Sequence, residues 1–196
     1  MSSRPPADPL PPGVLLRWGS RLYLALAVAA ILWQGLREGT IPLGLFFDRS
    51  SVLADLAVGL SAAAVLVGLW QLGRLTLASA RSLEESIAAT LGPLTLAEIV
   101  TLSILSGFSE ELFFRGAVQA QLGIVPATLL FALLHMGPGR EYRTWTVFAL
   151  LAGAALGSLM LWRGSLLAPV VAHVGVNLIG LVRLQRSALL RSDERS

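Results

Sequence analysis

Four stretches of the chain consist almost entirely of apolar residues: 19–36, 51–73, 142–162 and 166–184. Each approaches the roughly 20 residues that a helix needs to cross the hydrocarbon layer of a membrane. Two further apolar segments are less regular, because 96–121 contains internal charges and 124–136 is only thirteen residues long. The pattern predicts an all-α integral membrane bundle of about six transmembrane helices, in which the fourth need not span fully.

The segment 74–91 has a different periodicity. Leu83, Ile87 and Leu91 recur at every fourth residue, with charged residues on the opposite side. Such a stripe is typical of an amphipathic helix that lies on the membrane surface.

No internal repeat is visible, and we expect one domain in four parts. These are a mobile cytoplasmic N-terminus at 1–18, two membrane helices with the surface segment at 19–94, a membrane core at 95–185, and a mobile arginine-bearing tail at 186–196.

Composition agrees with a membrane protein. Hydrophobic residues make up 55% of the chain and charged residues 14%, whereas soluble domains carry about 25% charged residues. The positive charges are fifteen arginines without any lysine. Most of them fall on one face of a six-helix topology, so the positive-inside rule predicts a protein of the cell membrane with both termini cytoplasmic. The arginines suit lipid headgroups, and we expect no nucleic-acid partner.

The third predicted helix carries the candidate chemistry. Thr95 and Glu98 have the spacing of a capping box, so the helix is expected to begin near Leu96. Glu110 then lies about 21 Å along the axis, near mid-membrane, at ~1.5 Å per residue. An ionisable group at that depth is costly and indicates a functional site.

The next glutamate has a partner of its own. Glu111 and Arg115 are four residues apart with the acid first, which favours an ion pair on one helix face. Glu110 is rotated by about 100° from Glu111, so it is free to face elsewhere. We therefore predict a structural ion pair beside an acid that has no local partner.

Both histidines of the chain lie in apolar segments. His135 lies near the end of the fourth apolar segment, 124–136, and His173 is followed one turn later by Asn177 on the same helix face. A hairpin near 122–123 would bring Glu110 and His135 to equal depth, and His173 enters from the same side of the membrane. Three helices can therefore bring polar groups to one buried point.

These residues form three ordered motifs: Glu110-Glu111-Leu-Phe-Phe-Arg115, Phe131 to His135, and His173 to Asn177. They resemble the EExxxR, FxxxH and HxxxN motifs of the CAAX-protease and bacteriocin-processing family of glutamic-type intramembrane proteases. The pair Glu84-Glu85 has alanine where this motif needs arginine, so it is not the motif.

The resemblance implies a catalytic core within 95–185 and a role for each residue. Glu110 would be the general base for a water that His135 also holds, and His173 and Asn177 would stabilise the oxyanion. Phe113, Phe114 and Phe131 would line the site. The substrate would be a membrane-associated protein, cleaved near its C-terminus at either a prenylated CAAX end or a C-terminal sorting tail.

Several alternatives stay open. We expect no metal, but zinc could be held by Glu110, His135 and His173, with Asn177 as a further ligand. Serine chemistry at Ser109 lacks the glycine usual after such a serine. A transporter, or a non-catalytic binding or immunity protein, would also explain buried polar groups. Gly153 and Gly157 form a small-residue face, which would serve helix packing or a homodimer.

Overall fold

The computed structural model describes residues 9–39 and 52–193. Within these ranges the chain is helical and contains no strand, so the predicted all-α class is confirmed. The helices are α1 (Val14–Glu38), α2 (Val52–Thr76), α3 (Ala78–Leu91), α4 (Leu96–Leu122), α5 (Ile124–Leu134), α6 (Tyr142–Arg163) and α7 (Leu167–Asp193).

The predicted number of six membrane helices is not confirmed. In the described ranges, four helices are long and apolar enough to span by themselves: α1, α2, α6 and α7. The pair α3 and α4 is bent by 116° and counts as a fifth span only if it is taken as one broken helix. α5 has 11 residues, fewer than a full crossing needs.

Helix α4 begins as the sequence predicts. The Thr95 hydroxyl accepts from the Glu98 backbone amide at 3.2 Å, and the Glu98 carboxylate accepts from the Thr95 amide at 2.8 Å. After Glu111 the helix widens into a π-helical section, Leu112–Gln119. Wide turns of this kind are frequent at functional sites, and this one follows directly on the two glutamates.

Helix α7 lies at the centre of the bundle and packs against α2, α3, α4 and α6. Glycine allows one of these contacts to be close: a Cβ on Gly107 of α4 would lie 2.6 Å from Val174 Cγ2 and 2.8 Å from the Val174 amide nitrogen. His173 is thereby held directly against the turn of α4 that precedes Glu110.

Three boundaries differ from the sequence prediction. α1 begins at Val14, earlier than residue 19. α3 begins at Ala78, and its Glu84 faces the bundle, where it accepts from Trp70 Nε1 at 2.7 Å and pairs with Arg74 at 2.5 Å. α7 continues to Asp193, so residues 186–193 of the predicted mobile tail are helical. Of the predicted mobile ends 1–18 and 186–196, residues 1–8 and 194–196 lie outside the described residues.

The small-residue face of α6 is covered within the chain. A Cβ on Gly153 would meet Thr128 and Phe131 of α5, and one on Gly157 would lie 2.7 Å from Gln119 Oε1. These glycines therefore serve packing inside the bundle and give no support to a homodimer through this face.

Candidate active site

The four predicted catalytic residues line one cavity of about 360 Å³. Glu110 comes from α4, His135 follows the last residue of α5, and His173 and Asn177 lie one turn apart on α7. Three helices thus place these side chains around one point, as the hairpin argument predicts.

Glu110 faces both histidines. Its Oε2 lies 3.9 Å from His135 Nε2 and 4.0 Å from His173 Nε2. The side chain is 12% exposed, and Oε2 is buried without a hydrogen-bond partner among the described residues. These separations are too long for direct hydrogen bonds, and they leave the carboxylate oxygen available to a small group between the rings.

In each imidazole, the ring nitrogen that does not face Glu110 forms a hydrogen bond that fixes the ring. His173 Nδ1 lies 2.7 Å from Glu111 Oε1, and His135 Nδ1 lies 2.7 Å from the Phe131 carbonyl oxygen. An ion-paired carboxylate and a carbonyl only accept hydrogen bonds, so Nδ1 must carry the hydrogen in both rings. A neutral ring then presents the lone pair of Nε2 to Glu110.

Glu111 is buried and accepts hydrogen bonds from two side chains. Its Oε1 also accepts from Arg115 Nη1 at 2.7 Å, so the predicted ion pair is present. Arg115 Nη2 donates to the Gly153 carbonyl of α6 at 3.0 Å, and its guanidinium lies 4.8 Å from the centre of the Phe131 ring. The Glu111–Arg115 pair therefore connects α4 with α6 and α7; the contact with His173 was not anticipated from the sequence.

The three phenylalanines occupy different places. Phe131 touches the site, with its ring centre 4.4 Å from that of His135 and 5.8 Å from that of His173. Phe114 is buried behind it, at 5.0 Å. Phe113 is directed toward Trp33 of α1, at 6.3 Å. None of the three lines the 360 Å³ cavity, but Phe131 lines a smaller pocket that also includes both histidines. Only Phe131 thus contacts the histidines as expected.

Sequence reasoning missed three residues that line the cavity. The Trp145 ring centre lies 5.9 Å from that of His135. Ser106 of α4 accepts from Asn177 Nδ2 at 2.8 Å, and Tyr23 of α1 lines the same cavity. Ser106 lies one turn before Glu110 on α4, which is the one signal that could have found it; nothing local marks Tyr23 or Trp145.

The arrangement of the two histidines bears on whether the site could bind zinc. Histidines that bind zinc commonly donate their other ring nitrogen to a carboxylate or carbonyl oxygen, as His135 and His173 do here. Among the described residues, however, no group of three or more His, Cys, Asp or Glu side chains has the arrangement to hold a metal ion.

Comparison with known proteins finds similarity in the segment that carries the site. The profile of the Rce1-like family, type II CAAX prenyl endopeptidase Rce1-like, matches residues 90–179. The chain is also 35% identical over 81 residues to the uncharacterized protein YpbD of Bacillus subtilis (strain 168), over 40% of this chain and 41% of YpbD. The chain therefore matches about two fifths of that relative's length. No solved structure matches this chain significantly.

The matched segment contains every predicted catalytic residue and the Glu111–Arg115 pair. It also covers nearly all of α4 to α6 and the half of α7 that carries His173 and Asn177. Over this segment, the chain is similar to the Rce1-like family of type II CAAX prenyl endopeptidases.

Proposed function

We propose that this protein is an intramembrane endopeptidase of the glutamic type, with Glu110 as the general base. One observation carries the proposal: Glu110 Oε2 is buried, lacks a hydrogen-bond partner among the described residues, and faces the Nε2 atoms of His135 and His173 at about 4 Å. A water hydrogen-bonded to the carboxylate at about 2.8 Å would also reach the imidazoles.

The chemistry follows from this arrangement. Glu110 takes a proton from the water, whose oxygen attacks the substrate carbonyl carbon, and the His135 lone pair accepts the remaining hydrogen bond. Glu110 then passes its proton to the nitrogen of the leaving amine as the C–N bond breaks. One carboxylate thus serves as base and then as acid.

The oxyanion needs donors during this step. Asn177 supplies an amide N–H without any change of protonation. His173 donates from Nε2 only when both ring nitrogens carry protons, because its Nδ1 hydrogen is committed to Glu111. We therefore assign Asn177 the constant donor role and His173 a role that depends on its protonation.

We propose that the site works without metal, since Glu110 and the histidines can activate water by themselves. Zinc, if bound, would be held by Glu110, His135 and His173, and would polarise the substrate carbonyl. Cleavage measured in a strong chelator distinguishes them: a metal-free site stays active, whereas a zinc site loses activity.

The cavity supports a membrane-associated peptide as the substrate. From Glu110 it extends between α1, α3 and α7, along apolar side chains such as Leu83 and Ile87, to Glu84 and Arg183. We propose that it receives the C-terminal part of a membrane-linked protein, either a prenylated CAAX end or a C-terminal sorting tail.

We further infer that the protein lies in the cell membrane with both termini in the cytoplasm. The end of α2 and the start of α6 carry Arg74 and Arg143, with Arg81 and Arg140 between them, whereas the end of α6 carries only Arg163. The face with more arginines is the cytoplasmic one under the positive-inside rule. Reporter fusions at each terminus would test this orientation.

The proposed function is tested with purified protein in proteoliposomes and two internally quenched peptides, one farnesylated with a CAAX end and one ending in an apolar helix followed by arginines. Glu110→Gln keeps the shape of the side chain and removes its basicity, so cleavage should fall at least about 100-fold. The matched control is Glu85→Gln on the exposed side of α3, which should cleave normally.

Retained cleavage in a well-folded Glu110→Gln variant would overturn the assignment of the base. If the wild type binds a peptide and cleaves neither, the binding or immunity alternative takes the place of the protease.

A further inference from the structure

The cavity that contains Glu110 ends in a cluster of charged and polar side chains between α2, α3 and α7. Gln71 and Arg74 come from α2, whereas Glu84 of α3 and Arg183 of α7 line the cavity itself. Arg74 Nη1 donates to Gln71 Oε1 at 3.0 Å, and Arg183 Nη2 donates to the same oxygen. Two guanidinium groups therefore meet at one amide oxygen.

This cluster contains one carboxylate for its two arginines. Glu84 Oε2 pairs with Arg74 Nε at 2.5 Å, and Glu84 Oε1 accepts from Trp70 Nε1 at 2.7 Å. Both oxygens of Glu84 are thus engaged. Among the side chains that the structure describes, no carboxylate lies within ion-pair distance of Arg183. A half-buried arginine that lines a cavity without a counter-charge favours the binding of an anion there.

The position of Arg183 on α7 sets the distance between such an anion and the reacting bond. Arg183 follows Asn177 by six residues, which is about 9 Å along the helix axis at ~1.5 Å per residue. An extended peptide rises about 3.3 Å per residue, so about three residues span that length. The cavity has room for them: Leu83 and Ile87 of α3 line it, and a Cβ on Gly180 of α7 would meet nothing within 4 Å.

We propose that Arg183 binds the free C-terminal carboxylate of the substrate, so that the protein selects chains that end about three residues beyond the cleaved bond. The proposal rests on the proposed function, because it takes Glu110 and Asn177 as the point of cleavage. A guanidinium binds a carboxylate through paired, charge-assisted hydrogen bonds. The apolar cavity wall accommodates the side chains that precede the carboxylate.

Such an anchor distinguishes the two substrates that the proposed function leaves open. A CAAX end supplies a free carboxylate within a few residues of the cleaved bond. A sorting tail that contains a membrane helix extends for roughly 20 residues, and the arginines after that helix would be repelled by Arg74 and Arg183. The site therefore favours the CAAX end over the sorting tail.

Binding to the Glu110→Gln variant tests the anchor without cleavage. Two farnesylated CAAX peptides are compared that differ only at the C-terminus, one with a carboxylate and one with a carboxamide, by fluorescence anisotropy in detergent micelles. The carboxylate should bind about tenfold more tightly, as expected for a hydrogen-bonded contact to a charged group. Adding Arg183→Gln should remove this preference. Adding Arg183→Lys, which retains the charge, should keep part of it.

The matched control is Arg186→Gln, which removes an exposed arginine of the same helix that is not part of the cavity lining. In the Glu110→Gln background it should leave the preference for the carboxylate unchanged. This control separates the effect of Arg183 from a general loss of positive charge on α7.

Cleavage of the same peptides, followed by mass spectrometry, supplies the second test. With Glu110 intact, Arg183→Gln should raise KM for the carboxylate peptide about tenfold and leave kcat within about twofold, because the anchor binds substrate and transition state alike. The carboxamide peptide should be cleaved by Arg183→Gln as it is by the wild type.

The outcomes separate this proposal from the proposed function. Equal binding of the two peptides by Glu110→Gln overturns the anchor. An equal loss for both peptides in Arg183→Gln also overturns it, and is the result expected if Arg183 binds a lipid phosphate or only stabilises α7. A carboxylate preference that depends on Arg183, in a protein that cleaves neither peptide, supports the anchor while refuting the protease.

Discussion

Glu111→Ala is expected to unfold the protein more readily than any change at Glu110, its neighbour in sequence. Glu111 is completely buried, and its Oε1 accepts hydrogen bonds from Arg115 and His173, both at 2.7 Å. Without the carboxylate, the Arg115 guanidinium, only 1% exposed, keeps one hydrogen bond within the described part of the chain, to the Gly153 carbonyl.

The magnitude follows from that burial. Removing one partner of a buried ion pair costs about 3–5 kcal/mol, because the other charge is left without compensation. For a chain of this length, 1 kcal/mol shifts the melting temperature by about 2–4 °C. Glu111→Ala should therefore lower the melting temperature by about 10 °C, and Arg115→Ala should behave similarly because it leaves the glutamate unpaired.

Two comparisons sharpen the assay. Changing Glu111 and Arg115 together to leucine and methionine removes both charges, so it should recover part of the stability while cleavage stays low, because His173 Nδ1 has lost its acceptor. Glu110→Ala should melt at or above the wild-type temperature, as is common when an unpaired acid is removed from a functional site. The measurement is a thermal melt of the variants in one detergent.

The reasoning is refuted if Glu110→Ala is the least stable variant. It is also refuted if Glu111→Ala melts like the wild type, since a buried arginine cannot lose its counter-charge at no cost.

Local rules predicted the parts of the site that lie on one helix. The capping box at Thr95 and Glu98 fixes where α4 begins, and the spacing of four between Glu111 and Arg115 fixes that ion pair. Both depend only on the geometry of a single helix. Equal depth of Glu110 and His135 also followed, because it requires only a count of residues on either side of a turn.

Contacts between helices were harder to predict. A membrane helix that is apolar all round has no polar face to show how it is rotated in the bundle. The sequence therefore did not reveal that His173 reaches Glu111 or that Tyr23 lines the cavity, because each depends on how two helices approach. Glu84 was predicted incorrectly. The periodicity of 74–91 placed the charged residues of this segment on its polar side, away from the bundle, but Glu84 contacts Trp70 inside it.

Two further predictions concern the metal and the approach of α4 to α7. Purified protein should contain less than one zinc per chain and cleave normally in a strong chelator; loss of activity that zinc alone restores would show a metalloprotease. Gly107→Ala should lower both melting temperature and kcat, because its Cβ would lie 2.8 Å from the Val174 backbone nitrogen, which forces the helices apart at a cost of about 1–3 kcal/mol. The separation would move His173 away from Glu110, so kcat should fall further than in Gly68→Ala, where the added Cβ meets nothing within 4 Å. Normal melting and cleavage by Gly107→Ala would show that the site does not depend on this contact.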